Sequence, residues 1–284
     1  MRLFQVDAFT REKFLGNPAG ILLDAEGLTD LEMQAIAREL NNSESAFITK
    51  SKSPEYDIEV RFFTPTTEIP MCGHNTIALH YVRAVEGDAK PGIYRQKTKA
   101  GIISVEIVKR EDDFEVTMTH NRPVFDPPIR NAELLKALGL EEEQIRKDCP
   151  IQVVSTGNRK VFVGIQERSV LNSLKPDLAA LRNLAVTFNC TGYYVFAFDP
   201  SDPKILTHGR MFAPQIGIDE DPVTGMALGP LGAYLAHNRL AKETVEFIAQ
   251  QGEGMGRKGQ ARVFVSPEKI QVSGAAVIVF KASI

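Results

Sequence analysis

The 284-residue chain has no tryptophan, only three cysteines and five histidines, and no apolar run that approaches membrane-spanning length. Cys72, Cys149 and Cys190 are too few and too widely spaced for a disulfide framework or a zinc knuckle. Such sparing use suits a reducing cytoplasm, which is the expected location. His80, His120, His208 and His237 are dispersed without acidic or thiol partners at ligand spacing, so no metal is expected. Basic residues are not in excess: 33 Lys and Arg stand against 36 Asp and Glu, a net charge of −3. Neither nucleic acid nor an anionic membrane surface is therefore an expected partner. Asp7, Arg11, Glu12 and Lys13 interrupt what a signal peptide would need as an apolar core, and secretion is not expected. What is present, 43% hydrophobic and 24% charged residues, is the composition of a globular protein able to build a large core.

The chain repeats itself. Phe4-Gln5-Val6 returns as Ile151-Gln152-Val153, and Asn42 to Ile48 aligns with Asn189 to Val195 at the same offset of 147 residues. Phe63-Thr64-Pro65 matches Phe212-Ala213-Pro214, Pro70 to Gly73 matches Pro222 to Gly225, and Gly16-Asn17 pairs with Gly157-Asn158 once one loop is lengthened. Order and offset agree along both halves. Two similar domains are expected, residues 1–121 and 122–284, with the last strand, about 275–284, packing back into the first.

Local patterns give the element order of one copy. Leu3 to Phe9 and Ala19 to Leu23 are predicted strands around the Gly16-Asn17-Pro18 turn. Thr29 and Glu32 form a capping box for a helix over 30–40 whose apolar face is Leu31, Ile36, Ala37 and Leu40, with Leu28 and Met33 stapling its start. Ala46 to Thr49 is a predicted strand, and so is Tyr56 to Phe63, where apolar and charged residues alternate. A helix over about 75–85 is apolar all round and must be buried, and its counterpart over about 227–236 is equally apolar. Gly254-x-Gly256-x-x-Gly259 matches a dinucleotide fingerprint in letters only. No strand is expected before it, and Ala261 to Val265 after it has a strand pattern where a helix is required, so it is taken as a glycine-rich turn.

Positions where the two copies differ in polarity mark candidate chemistry. Glu44 aligns with Thr191, and Asp221 aligns with Ile69, so each half carries one carboxylate the other lacks. Glu44 precedes an apolar strand start, where partial desolvation favours proton transfer. The glycines of Met71-Cys72-Gly73-His74-Asn75 and Pro222-Val223-Thr224-Gly225 begin buried helices, whose free N–H groups suit a carboxylate or oxyanion. His74 is placed to bond substrate or trade a proton, and Cys72 to act as nucleophile or proton carrier. On the residues alone the alternatives stay open: a loop carboxylate in an ion pair, a histidine capping its own helix, and an inert buried thiol.

At Val6 to Thr10, Gly16 to Gly20, Asn42 to Phe47, Arg61 to Pro65, Cys72-Gly73-His74, Arg210 to Pro214, Glu220 to Gly225 and Gln251-Gly252, the sequence resembles the PhzF-like, phenazine-biosynthesis-type isomerases. The resemblance covers nearly the whole chain. It implies an α+β, diaminopimelate-epimerase-like fold of two pseudo-symmetric domains, each a β-barrel around a central helix, with the active site between them. It also implies a cofactor-independent isomerase and a homodimer. Glu44 would move a proton between carbons of a small anionic metabolite, Asp221 would be the second acidic residue, and Ser43, Gly73 and His74 would contact substrate. Gly225 falls on the glycine of the second helix mouth. Met226 departs from the pattern, because the phenazine-pathway enzyme has serine there, and the lost hydroxyl argues against the same substrate. Proline racemases and diaminopimelate epimerases share Met71 to His74 but oppose two cysteines. Here the opposing residue is Thr224, whose hydroxyl cannot replace a thiolate near neutral pH. Two further readings remain: a Cys72-dependent dehydratase or epimerase, and a non-catalytic metabolite-binding protein.

Overall fold

Alternation builds the strands as a period of two requires: Tyr56, Ile58, Val60 and Phe62 are each 6% exposed or less, while Asp57, Glu59 and Arg61 face outward. The computed structural model describes all residues, Met1–Ile284. The chain divides into two compact units, Met1–Thr119 with Ser273–Ile284, and His120–Val272. In chain order the first elements are β1 (Arg2–Ala8), β2 (Asn17–Leu23), α1 (Asp30–Leu40), β3 (Glu44–Lys50), β4 (Ile58–Phe63), β5 (Glu68–Ile69), α2 (Gly73–Val85), β6 (Gly92–Thr98), β7 (Gly101–Arg110) and β8 (Asp113–His120). Then come β9 (Val124–Phe125), α3 (Ala132–Leu138), β10 (Gln152–Ser155), β11 (Arg159–Ile165), α4 (Arg168–Ser173), α5 (Leu178–Phe188), β12 (Tyr193–Phe198), β13 (Thr207–Ala213), β14 (Ile218–Asp221), α6 (Gly225–His237), β15 (Val245–Gln251), β16 (Gly259–Val265), β17 (Ile270–Gly274) and β18 (Ala276–Ser283).

The repeat is a repeat of topology. In the first unit β1 and β2 are antiparallel, β2 and β3 parallel, β3 antiparallel to β4, and β4 parallel to β6, which turns back into β7. In the second unit β10 and β11 are antiparallel, β11 and β12 parallel, β12 antiparallel to β13, and β13 parallel to β15, which turns back into β16. Each parallel pair needs a crossover, and the helices supply it. The fold is thus a sheet-dominated α+β architecture in which strands enclose one apolar helix per unit. Every residue of α2 from Gly73 to Ala84 is buried, with β1, β2, β3, β7 and β18 packed around it. β18 pairs antiparallel with β1 along its length.

Three local expectations need correction. α1 has the expected bounds and capping box, but its buried face is Met33, Ile36, Ala37 and Leu40, and Leu31 is 83% exposed. At 100° per residue Leu31 lies across the helix from Met33. α2 and α6 begin at Gly73 and Gly225, earlier than the apolar pattern suggested, because glycine and polar residues supply their first turns. A strand, β15, does precede the glycine-rich run, but β16 follows it, so the strand–turn–helix context of a dinucleotide site is still lacking. No helix is long and apolar enough to cross a membrane.

Candidate active site

In the first unit the site residues come together at the mouth of α2. Cys72 is the N-cap of this helix, in extended conformation and without a side-chain cap. Its Sγ lies 3.4 Å from His74 Nδ1. The other ring nitrogen, Nε2, is 3.6 Å from Glu44 Oε2. Glu44 opens β3 opposite Ala19 of β2, and its side chain is 9% exposed against 5% for His74. Burial pushes the His74 imidazole down to about 3, opposed only weakly by a hydrogen bond with the Pro18 backbone. The ring is therefore neutral near pH 7 and serves as a hydrogen-bonding group beside the carboxylate, not as a fixed cation.

Polar groups crowd this mouth without bonding one another. Ser43 Oγ and both amide atoms of Asn75 are buried and lack a hydrogen-bond partner within the chain. Buried polar atoms rarely stay unpaired, so such a cluster points to a bound polar molecule or to water. The helix start itself is braced from behind. Arg83 donates to His80 Nδ1 at 3.3 Å, His80 Nε2 to Gln96 Oε1 at 2.9 Å, Gln96 Nε2 to Thr76 Oγ1 at 3.2 Å, and Thr76 Oγ1 to the Cys72 carbonyl at 2.8 Å. Glu44, Cys72 and His74 also present one potential ligand atom each within 4.8 Å of one another, a spacing a divalent cation could use.

The second unit assembles its own set at the mouth of α6. Thr224 is the N-cap, its hydroxyl donates to the Asp221 carboxylate, and Gln251 clamps both residues. Gln251 Nε2 donates to the Asp221 carbonyl at 2.7 Å and to Thr224 Oγ1 at 3.1 Å, while its Oε1 accepts from the Thr224 N–H at 3.1 Å. Gly225 is buried and Met226 half-buried. Lys160 at the start of β11 is buried as well, its Nζ bonded to Thr191 Oγ1 at 2.6 Å. Sequence reasoning missed Asn75, Gln251 and Lys160 as site residues. Asn75 adjoins a named candidate, and Lys160 stands immediately before the uncharged stretch Val161 to Ile165.

Comparison with known proteins gives the family. The family model described as phenazine biosynthesis-like protein matches residues 6–282. An uncharacterised isomerase of Clostridium acetobutylicum is 50% identical, over 99% of this chain and 97% of that protein. A trans-2,3-dihydro-3-hydroxyanthranilate isomerase of Pseudomonas aeruginosa is 33% identical, over 96% of this chain and 95% of that protein. Among solved structures, a Bacillus anthracis phenazine biosynthesis protein of the PhzF family superposes with a TM-score of 0.91 at 32% identity, covering 100% of this chain and 98% of that one. A hydroxyproline epimerase of Agrobacterium vitis shares the fold, with a TM-score of 0.67 at 12% identity over 100% of this chain and 90% of that one. The chain belongs to the PhzC-PhzF family of phenazine biosynthesis-like proteins, and like its relatives it is an isomerase.

Proposed function

We propose that the enzyme shifts a proton between carbons of a small carboxylate-bearing metabolite, with Glu44 as the proton carrier. The observation that carries this reading is the buried Glu44 carboxylate beside a neutral imidazole, among buried polar groups of Ser43 and Asn75 that lack partners within the chain. Ionised Glu44 takes a proton from a carbon activated by an adjacent unsaturated system, the double bond moves, and the protonated carboxyl returns the proton to a different carbon. Electrons and atoms balance without an outside reductant or oxidant. His74 orients the carboxylate and bonds the substrate, and the N–H groups at Gly73 and Gly225 donate to the substrate's anionic group. Asp221, fixed by Thr224 and Gln251, is the second acidic participant, with Ser43, Cys72, Thr224 and Met226 as substrate contacts.

The Pseudomonas relative is named for a cyclic, unsaturated amino carboxylate, and a substrate of that general class fits the reading. Met226 in place of a serine makes the same compound a poor candidate. Deuterium wash-in at carbon in D₂O, across a panel of unsaturated cyclic carboxylates, tests the reaction. Exchange that survives unchanged in Glu44→Gln would overturn it. The 3.4 Å contact between Cys72 and His74 favours a second reading, thiol-dependent proton abstraction. That reading demands the opposite pattern, loss of exchange in Cys72→Ser with Glu44→Gln spared.

A further inference from the structure

The two copies of the repeat differ at a buried position that neither catalytic carboxylate explains. In the first unit Gly20 of β2 lies opposite Ser45 of β3, and in the second Val161 of β11 lies opposite Tyr193 of β12. Helices α1 and α5 both end on left-handed caps, Asn41 and Asn189, which sets the structural offset at 148 residues where the sequence alignment had 147. Ser45 is then equivalent to Tyr193 and Glu44 to Gly192, and through the strand pairing Gly20 is equivalent to Val161 and Ala19 to Lys160. Ala19 lies opposite Glu44, whereas Gly192 has no side chain and the lysine stands on the adjoining strand. Lys160 is buried and donates to Oγ1 of Thr191, the residue equivalent to Ser43. Thr191 donates in turn to the Arg159 carbonyl at 2.9 Å, which fixes the hydroxyl as acceptor for the ammonium.

An ammonium 4% exposed, with a neutral hydroxyl as its hydrogen-bond partner, is an expensive group to keep charged in a fold. Burial pushes Lys160 down to about 8, while the negative charge of Asp221 holds it up. Cys190, the other group acting on it, has its thiol pushed up by burial and stays neutral. Near pH 7 Lys160 is therefore a largely charged cation close to Asp221 at the second half-site, with donors beyond the one that Thr191 accepts.

We propose that Lys160 is an anion-binding residue of this site, its ammonium pairing with the carboxylate of the substrate. The proposal rests on the isomerase reading for the identity of the ligand.

Thermal-shift titration tests it with benzoate and its uncharged analogue benzamide as probes. Benzoate is expected to stabilise the wild type and benzamide to have at most a weak effect. Lys160→Met weakens the apparent benzoate affinity at least tenfold, and Lys160→Arg restores most of it. The wild-type response falls between pH 7 and pH 10 as the ammonium discharges, an arm that decides the matter even if Lys160→Met does not fold. An unchanged benzoate response in Lys160→Met, a pH-independent wild-type response, or a wild type that treats benzoate and benzamide alike overturns the proposal. Deuterium exchange surviving in Glu44→Gln overturns the isomerase mechanism while leaving the role of Lys160, which is read from the benzoate response of the Lys160 variants alone, intact.

Discussion

The carboxylate of Glu44 is deeply placed, next to an imidazole that burial keeps neutral. Groups in that situation exchange protons readily when a substrate supplies the second partner. Glu44→Gln preserves shape and hydrogen bonding but cannot carry a proton. We expect it to lower the rate of deuterium wash-in by about 10²–10⁴-fold, the usual contribution of a general acid-base group. Cys72→Ser is expected to retain exchange within about tenfold and to leave stability unchanged, because serine is a better N-cap than cysteine and the Cys72 backbone stays in place. The pair of variants, assayed on one carboxylate substrate, separates carboxylate from thiol chemistry. Glu44, Cys72 and His74 were legible as candidates because they interrupt a repeat or open a helix. Lys160 was not, because its meaning depends on strand register: only the pairing of β11 with β12, together with the matching caps of α1 and α5, shows that it is the counterpart of Ala19, the residue opposite Glu44.

At the scale of the element, the sequence showed where helices begin and end better than which way they face. The capping box of Thr29 and Glu32 fixes α1 by local hydrogen bonds, with the Thr29 N–H 2.8 Å from the Glu32 carboxylate, and local chemistry is visible in a string of letters. The face of α1 is set by what the helix packs on. Leu22, Phe47 and Phe63 receive Met33 and Ala37, and the solvent takes Leu31. The buried helices show the same dependence. α6 can lie against β16 only because its residues are small. A Cβ on Gly232 would come 2.6 Å from Val265 Cγ2 and 2.8 Å from Val263 Cγ1, both short branched side chains with little room to yield. Overpacking of this kind costs about 1–3 kcal/mol, and alanine's better helix propensity offsets at most about 1 kcal/mol of it. Gly232→Ala is therefore expected to lower the urea midpoint with an unchanged m-value. A midpoint equal to or above that of the wild type would mean that α6 is not held this closely.

The whole molecule depends on contacts far apart in sequence, and two consequences follow from that. β18 pairs with β1 from Arg2↔Ser283 to Ala8↔Ala276, and the Phe9 N–H donates to the Ala275 carbonyl at 2.8 Å. Removal of residues 276–284 strips β1 of one of its two neighbours and uncovers α2, which carries the site. Such a truncation should lose the cooperative unfolding of the first unit, seen as a second, earlier thermal transition or as insoluble protein. The other consequence concerns acid. His74 and His80 are 4% and 0% exposed, and burial pushes both down to about 3. The unfolded chain binds protons on both near pH 6.5, whereas the folded chain does not, so stability rises with pH across this window and is lost as pH falls from about 6.5 toward 3. Each such histidine can contribute a slope of up to about 1.4 kcal/mol per pH unit. His80 must stay neutral for a second reason: its Nδ1 accepts from Arg83 while its Nε2 donates to Gln96, and protonation would set an imidazolium against a guanidinium. In denaturant titrations at pH 7, 6 and 5, His80→Gln is expected to start less stable than the wild type but to lose stability less steeply, by close to one proton's worth of slope. Parallel curves for the two proteins would show that His80 is protonated in the folded state, and that the chain of hydrogen bonds bracing the mouth of α2 has a different polarity from the one drawn here.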